Sequence, residues 1–236
     1  MASNRKTSQK KRDVWCCDIT ISLFILGTKD MEKKEAIKIV REAAKRYQNN
    51  LVGKKILVLY LGCNQCVDYF ELSFKATNFL HLTGLQLVAH ISAAEFYKRC
   101  LDGKLSESDF EFAEDGTTIL KLTVLPKLMA NNLSANMIGD FNSNSLKLYT
   151  EKLVGSVTAC LGFVKQGDAY YPNTLLYKDI RNVVYETKRI VAIFQKKFKD
   201  LNYGIKTFQS KTIDCGKLKF PQDVEYLKGL LITEDK

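Results

Sequence analysis

Two histidines, His81 and His90, are the chain's complement of that residue, and histidine is the side chain whose ordinary titration range suits proton transfer near neutral pH. His81 stands in NFLHLTG, with Thr83 two residues on and Gly84 closing the segment. If the segment is a strand, His81 and Thr83 project from one face, so imidazole and hydroxyl can meet one phosphate together. A buried histidine satisfied by a hydrogen bond is the competing reading of the same residues. His90, just ahead of a helix signal, reads as a structural neighbour of a cap.

Cations and rings are concentrated further along. Lys147, Lys152, Lys165, Lys188, Arg189, Lys196 and Lys197 recur on strands and turns of the second half, together with Tyr149, Tyr170 and Tyr171. One face of an antiparallel sheet so decorated offers charge to a phosphate backbone and stacking surfaces to unstacked bases; a solvated face with cross-strand aromatic packing is the plainer account. Alternation sends one member of the Lys196–Lys197 pair to any such face. In YYPNTLLYKDIR, Asn173 or Thr174 is placed to cap a following helix whose exposed amides suit a phosphate, or merely to cap it. Asp179 and Arg181 read as surface helix residues or an ion pair.

Other chemistries lack support. Cys63-Asn-Gln-Cys66 is a C-x-x-C after an apolar strand, but the following VDYFELSF is strand-like, so the helix dipole that would activate a redox thiol is missing. The two histidines lie too far apart to complete a zinc finger with these cysteines, and no phosphate-loop, dinucleotide, zincin or nucleophile-elbow motif occurs. The 7 cysteines, an odd number with several in apolar runs, read as free thiols in a reducing compartment. A formal net charge of +10 favours anionic partners. No run reaches the roughly eighteen apolar residues of a membrane span.

Several elements must position these groups. DMEKKEAIKIVREAAKRY carries an apolar stripe at helical spacing, KKILVLYLG reads as a buried strand, and SAAEFYKRCLDGK as a short helix capped by Ser92 with Glu95 three residues on and Gly103 as its stop. TTILKLTVLPKLMANN reads as a helix that tolerates or is broken by Pro126. Beyond Asn131 the texture turns to strands, ANMIGDF, SLKLYTEKLVGSVTACLGFV and KRIVAIFQKKF, with a helical-looking LLYKDIRNVVYE between them. Helices gathered first and strands second predict an α+β domain, N-terminal helices packed on a mainly antiparallel sheet. Residues 1–30 read as a basic, flexible extension that mimics a signal peptide but lacks its cleavage site, or as an upstream start with Met31 as the true beginning. Residues 31–200 read as the domain, and residues 201–236 as an extension with an edge strand and a helix.

Taken together, NFLHLTG, SAAEFYKRCLDGKL, ANMIGDF, LYTEKLVGSVTACLGFV, YYPNTLLYKDIR and RIVAIFQKK resemble a phage-associated branch of the barnase/EndoU/colicin/RelE-like nucleases over residues 59–197. The resemblance implies a barnase- or RelE-like fold and metal-independent cleavage of RNA by 2′-OH transesterification. It implies His81, Thr83, Thr174 and Lys196 as catalytic residues with Asn173 binding substrate beside them, and no cofactor; Lys147, Lys152, Tyr171 and Arg181 are the further substrate-binding candidates, chosen by residue type rather than by the resemblance. Members of the branch are similar to toxins or effectors of phages and conjugative elements, which implies RNA as partner, an immunity or host protein as a second one, and the cytoplasm of a bacterial host, reached in some cases from a virion. The alternative is a non-catalytic module of a mobile element that binds nucleic acid or a host protein.

Overall fold

The computed structural model describes residues 31–232, so the extension expected over residues 1–30 and the start at Met31 fall outside or at the edge of the described residues. The chain opens with α1 (Lys33–Asn50), whose stripe of Ala36, Val40, Ala43, Ala44 and Tyr47 is buried, as a 3.6-residue period dictates. A hairpin of β1 (Lys54–Leu61) and β2 (Val67–Ser73) follows. Next come α2 (Phe79–Thr83), β3 (Leu85–Leu87), α3 (Ala93–Asp102), β4 (Phe110–Phe112) and α4 (Thr117–Leu128). The Ser92 hydroxyl accepts from the Glu95 amide at 3.2 Å at the start of α3, and Gly103 ends that helix with φ at 75°. Pro126 sits within the last turn of α4 without breaking it.

The second half contributes β5 (Met137–Asp140), β6 (Lys152–Gly155), β7 (Cys160–Gln166), β8 (Ala169–Leu176), β9 (Lys188–Lys197), β10 (Ile205–Gln209) and α5 (Tyr226–Ile232). The expected mainly antiparallel sheet with N-terminal helices packed on it is not what these strands form. The sheet runs β1-β2-β8-β7-β6-β5-β9, and β9 also pairs with β1 from Lys54↔Lys197 to Tyr60↔Ile190, which closes seven strands into a barrel. Its β2–β8 junction, at Leu72↔Tyr170, is parallel, so the barrel is mixed; β10 attaches outside it, to β9. Alternation within single strands records which face is apolar but not which distant strand supplies the closing partner. That is why a barrel reads as a flat sheet from sequence.

Two smaller segments also differ. NFLHLT is not a strand: Phe79, Leu82 and Thr83, at i, i+3 and i+4, are the buried residues of α2, and five residues are too few to display a helical period. LLYKDIRNVVYE is not a helix either. Leu175 and Leu176 end β8, Asp179 caps a single turn over Ile180–Asn182, and the chain then runs beside β5.

The main core joins the inward barrel row, including Ile56, Val58, Leu72, Phe163 and Ile193, to α1, α2, α3 and α4 through Tyr47, Phe79, Phe96 and Leu125. The helices therefore cover one end of the barrel. Inside it, the buried Gln195 amide donates to the carbonyls of Asn131 at 2.8 Å and Asn50 at 3.3 Å, tying β9 to the helical layer. On the outside, Leu57, Leu59 and Phe194 bury Tyr203, Leu218, Val224, Leu227 and Leu231 of the tail. Each large aliphatic side chain so buried contributes about 1.5–3 kcal/mol. Among the described residues, no helix is long and apolar enough to cross a membrane.

Candidate active site at the open barrel rim

At the end opposite the helices, every inward row changes from apolar to polar within one residue pair. On β1, Ile56 and Val58 are followed in phase by Tyr60; on β5, Ile138 by Asp140. On strands of opposite direction the polar residue comes first, Asp68 before Phe70, Lys152 before Val154 and Lys188 before Ile190. Register places these groups around one rim, through the pairs Tyr60↔Asp68, Asp140↔Lys152, Ile138↔Lys188 and Lys165↔Tyr170. A polar group belongs there because water reaches it; one step deeper it would be stranded in the core.

The rim opens on a cavity of about 150 Å³ lined by Tyr60, Ile138, Gly139, Asp140, Lys152, Tyr185, Glu186 and Lys188. Below the rim lie edge-to-face rings, Tyr60 on Phe70 at 6.2 Å and Phe70 on Tyr170 at 5.5 Å. The Lys152 ammonium donates to Asp140 Oδ1 at 2.5 Å, and the Lys188 ammonium lies 5.6 Å from the centre of the Tyr60 ring. The wall between β5 and the approach to β9 depends on Gly139, where a Cβ would run into the Glu186 carbonyl and the Val184 side chain. That close approach lets the Tyr185 amide donate to the Asp140 carbonyl at 3.0 Å.

Burial pushes the Tyr60 phenol above the usual tyrosine range; Lys152 opposes this, while Asp68, Asp140 and Tyr170 reinforce it. Burial alone would lower Lys152, but its hydrogen bond and charge contact with Asp140, aided by Tyr60 and Tyr170, outweigh that and hold the ammonium above its ordinary value. The rim thus presents a neutral proton donor, a lasting cation and an exposed carboxylate side by side. That set can move protons and hold negative charge on phosphorus.

Of the residues singled out in the sequence, Lys152 and Lys188 stand in this cavity. His81 is exposed on α2, which follows the end of β2 remote from the rim, and its carbonyl accepts from Lys121 Nζ at 3.2 Å. Thr83 is fully buried, donating to the Leu80 carbonyl at 2.8 Å and accepting from the Leu85 amide at 3.1 Å. Thr174 is buried against Gly162. Asn173 accepts from the Thr150 hydroxyl at 3.1 Å and donates to the Tyr149 carbonyl, pinning the β5–β6 loop that carries exposed Lys147. Tyr171 lies under Lys75 Nζ at 4.2 Å, and Arg181 pairs with Asp179 at 2.6 Å. Lys196 faces the outer cleft, donating to the Leu201 carbonyl at 2.9 Å. Sequence reasoning passed over Tyr60, Asp140 and Glu186. The signal available for the first two was a polar side chain ending an inward apolar row, Ile138-x-Asp140 and Val58-x-Tyr60.

The C-x-x-C forms the β1–β2 turn at the same rim, with Cys63 exposed, Cys66 half-buried and both thiols free. Among the described residues, no three His, Cys, Asp or Glu side chains converge as metal ligands would. A family model described as phage-Barnase-EndoU-ColicinE5/D-RelE like nuclease4 matches residues 39–212. No curated protein and no solved structure matches the chain.

Proposed function

The chain belongs to the phage-Barnase-EndoU-ColicinE5/D-RelE like nuclease family described by that fourth model, and on that premise we propose that its open rim cleaves RNA by transesterification, without a metal. One observation carries the reading: a phenol, a carboxylate and two ammonium groups, on Tyr60, Asp140, Lys152 and Lys188, line a single cavity. The family supplies nucleic acid as substrate, and this side-chain set suits a reaction that uses the ribose 2′-hydroxyl as its nucleophile.

In the proposed reaction Asp140 takes the 2′-hydroxyl proton and the freed oxygen attacks the adjacent phosphorus. The bond from phosphorus to the 5′ oxygen breaks, and the Tyr60 hydroxyl protonates that leaving oxygen. Lys152 and Lys188 offset the charge on the phosphorane. The products are a 2′,3′-cyclic phosphate and a 5′-hydroxyl, and solvent restores the Tyr60 proton. General acid–base steps of this kind each contribute roughly 10²–10⁴-fold.

The test is cleavage of an end-labelled single-stranded RNA in EDTA by the wild type, Asp140→Asn and Lys152→Met, with thermal melts to confirm folding. The expected result is cyclic-phosphate product from the wild type, a large loss in both variants, and no cut where the scissile ribose is 2′-deoxy. Undiminished cleavage by the folded variants overturns the assignment of the rim. Salt-sensitive binding by the wild type without any product selects a binding module instead.

A further inference from the structure

The cavity offers about 150 Å³ and opens to solvent at the rim. That is room for a phosphate and part of a sugar, so the bases on either side must stay outside it. One ring is placed to meet them. Tyr185 lines the cavity, yet the residue is 64% exposed.

Other tyrosines of this half are otherwise engaged or elsewhere. Tyr170 packs on Phe70, Tyr171 lies under Lys75, and the exposed Tyr149 does not line the cavity. The Tyr185 backbone is held on its N-terminal side by the antiparallel bridge of Val184 to Phe141, in which its amide donates to the Asp140 carbonyl at 3.0 Å. Leaving so large a ring in water forgoes the stabilisation of burying it. A fixed backbone with an open ring face is what a stacking platform requires, because little order has to be gained on binding.

We infer that Tyr185 is the base platform of this site: it stacks on the nucleobase flanking the phosphate at the rim and thereby selects single-stranded RNA, whose bases can be splayed out, over duplex. This rests on the reading of the rim as an RNA site. Duplex RNA keeps its bases stacked on one another and presents no free face to the ring.

The experiment uses the full chain and an uncleavable 2′-O-methyl RNA oligonucleotide carrying one 2-aminopurine, as a single strand and annealed. With the wild type, the expected results are quenched 2-aminopurine fluorescence and binding of the single strand at least about tenfold tighter than of the duplex. Tyr185→Phe keeps both, whereas Tyr185→Ala loses the quenching and binds roughly tenfold more weakly, in the range measured for single base–aromatic stacks. For cleavable RNA, the Ala variant raises KM more than it lowers kcat. If the wild type binds but the Ala variant matches it in affinity and quenching, the platform is overturned while the rim stands. If the wild type binds neither form, both fail.

Discussion

The barrel carries two polar clefts built from the same residue types, and they differ in what those residues have left to offer. The outer cleft, about 280 Å³, is the larger, and Tyr69, Glu71, Lys196, Tyr203 and Asp223 line it. Its groups are satisfied by one another: Tyr203 donates to Glu71 at 2.5 Å, Lys55 pairs with the other Glu71 oxygen at 2.7 Å, Tyr69 donates to Asp223, and Lys196 covers the Tyr203 ring at 4.5 Å. At the rim, among the described residues, no hydrogen bond engages the Tyr60 hydroxyl or the Lys188 ammonium. The outer set fastens the C-terminal tail to the barrel, and the rim set faces solvent. Cleft size and residue type do not identify a reactive site; unsatisfied hydrogen-bonding capacity on rigid strands does so better.

The largest effect expected from this contrast is on rate. Lys152→Met or Asp140→Asn lowers RNA cleavage by roughly 10²–10³-fold, the scale of removing one group that stabilises developing charge, with little change in thermal midpoint because both sit at the wet rim. Lys196→Met, in the other cleft, leaves initial rates within about twofold. Equal losses at Lys152 and Lys196 would erase the distinction.

Stability responds in the opposite sense. Tyr203→Phe leaves Glu71 without its phenol donor on the half-buried outer face, so the expected cost is about 1–3 kcal/mol in urea unfolding, with kcat unchanged. A rate loss in this variant at constant stability would mean that the tail cleft takes part in catalysis.

The pH dependence separates the two properties again. Tyr60 is raised by burial and Lys152 by Asp140, so both keep their protons into the alkaline range, and initial rates hold beyond about pH 10, the ordinary tyrosine value. Buried Cys100 and Cys160 lie elsewhere, and burial pushes their thiols from 9.0 up to about 12. A pKa raised on folding means that the unfolded chain sheds these protons first. Their contribution is complete below about pH 9 and is lost as pH climbs toward 12. Denaturant midpoints should begin to fall above about pH 9 while the rate per folded molecule still holds past about pH 10.

What was legible in the sequence follows the range of the interactions concerned. The α1 stripe, the Ser92 and Glu95 start of α3 and the hydrophobic run of β1 are local patterns, and the structure repeats them. Closure through β1–β9 joins Leu57 to Phe194, and the parallel contact joins Leu72 to Tyr170; nothing in either neighbourhood encodes its partner. The rim inherits that limit. Asp140 and Lys152 are near enough in sequence to suggest a hairpin pair, but the arrival of Tyr60 and Lys188 beside them depends on the closed barrel. The short α2 hid for a different reason, since FLHLT contains β-forming residues and only the i, i+3, i+4 burial of Phe79, Leu82 and Thr83 reveals its period.

The smallest expected effect is the most informative about this last point. As a strand residue His81 would be the natural acid or base; on α2 its side chain is exposed and its carbonyl holds Lys121, at the helical end of the molecule. His81→Ala removes no buried contact, so cleavage should stay within about twofold of the wild type and stability within about 0.5 kcal/mol. Thr83→Val supplies the contrast on the same helix. It deletes the hydroxyl that bridges the Leu80 carbonyl and the Leu85 amide in the core, and should cost about 1–3 kcal/mol with the rate per folded molecule unaltered. Loss of cleavage in a fully folded His81→Ala protein would move the active surface from the rim to the helices, and with it the roles assigned to Tyr60, Asp140 and Lys152.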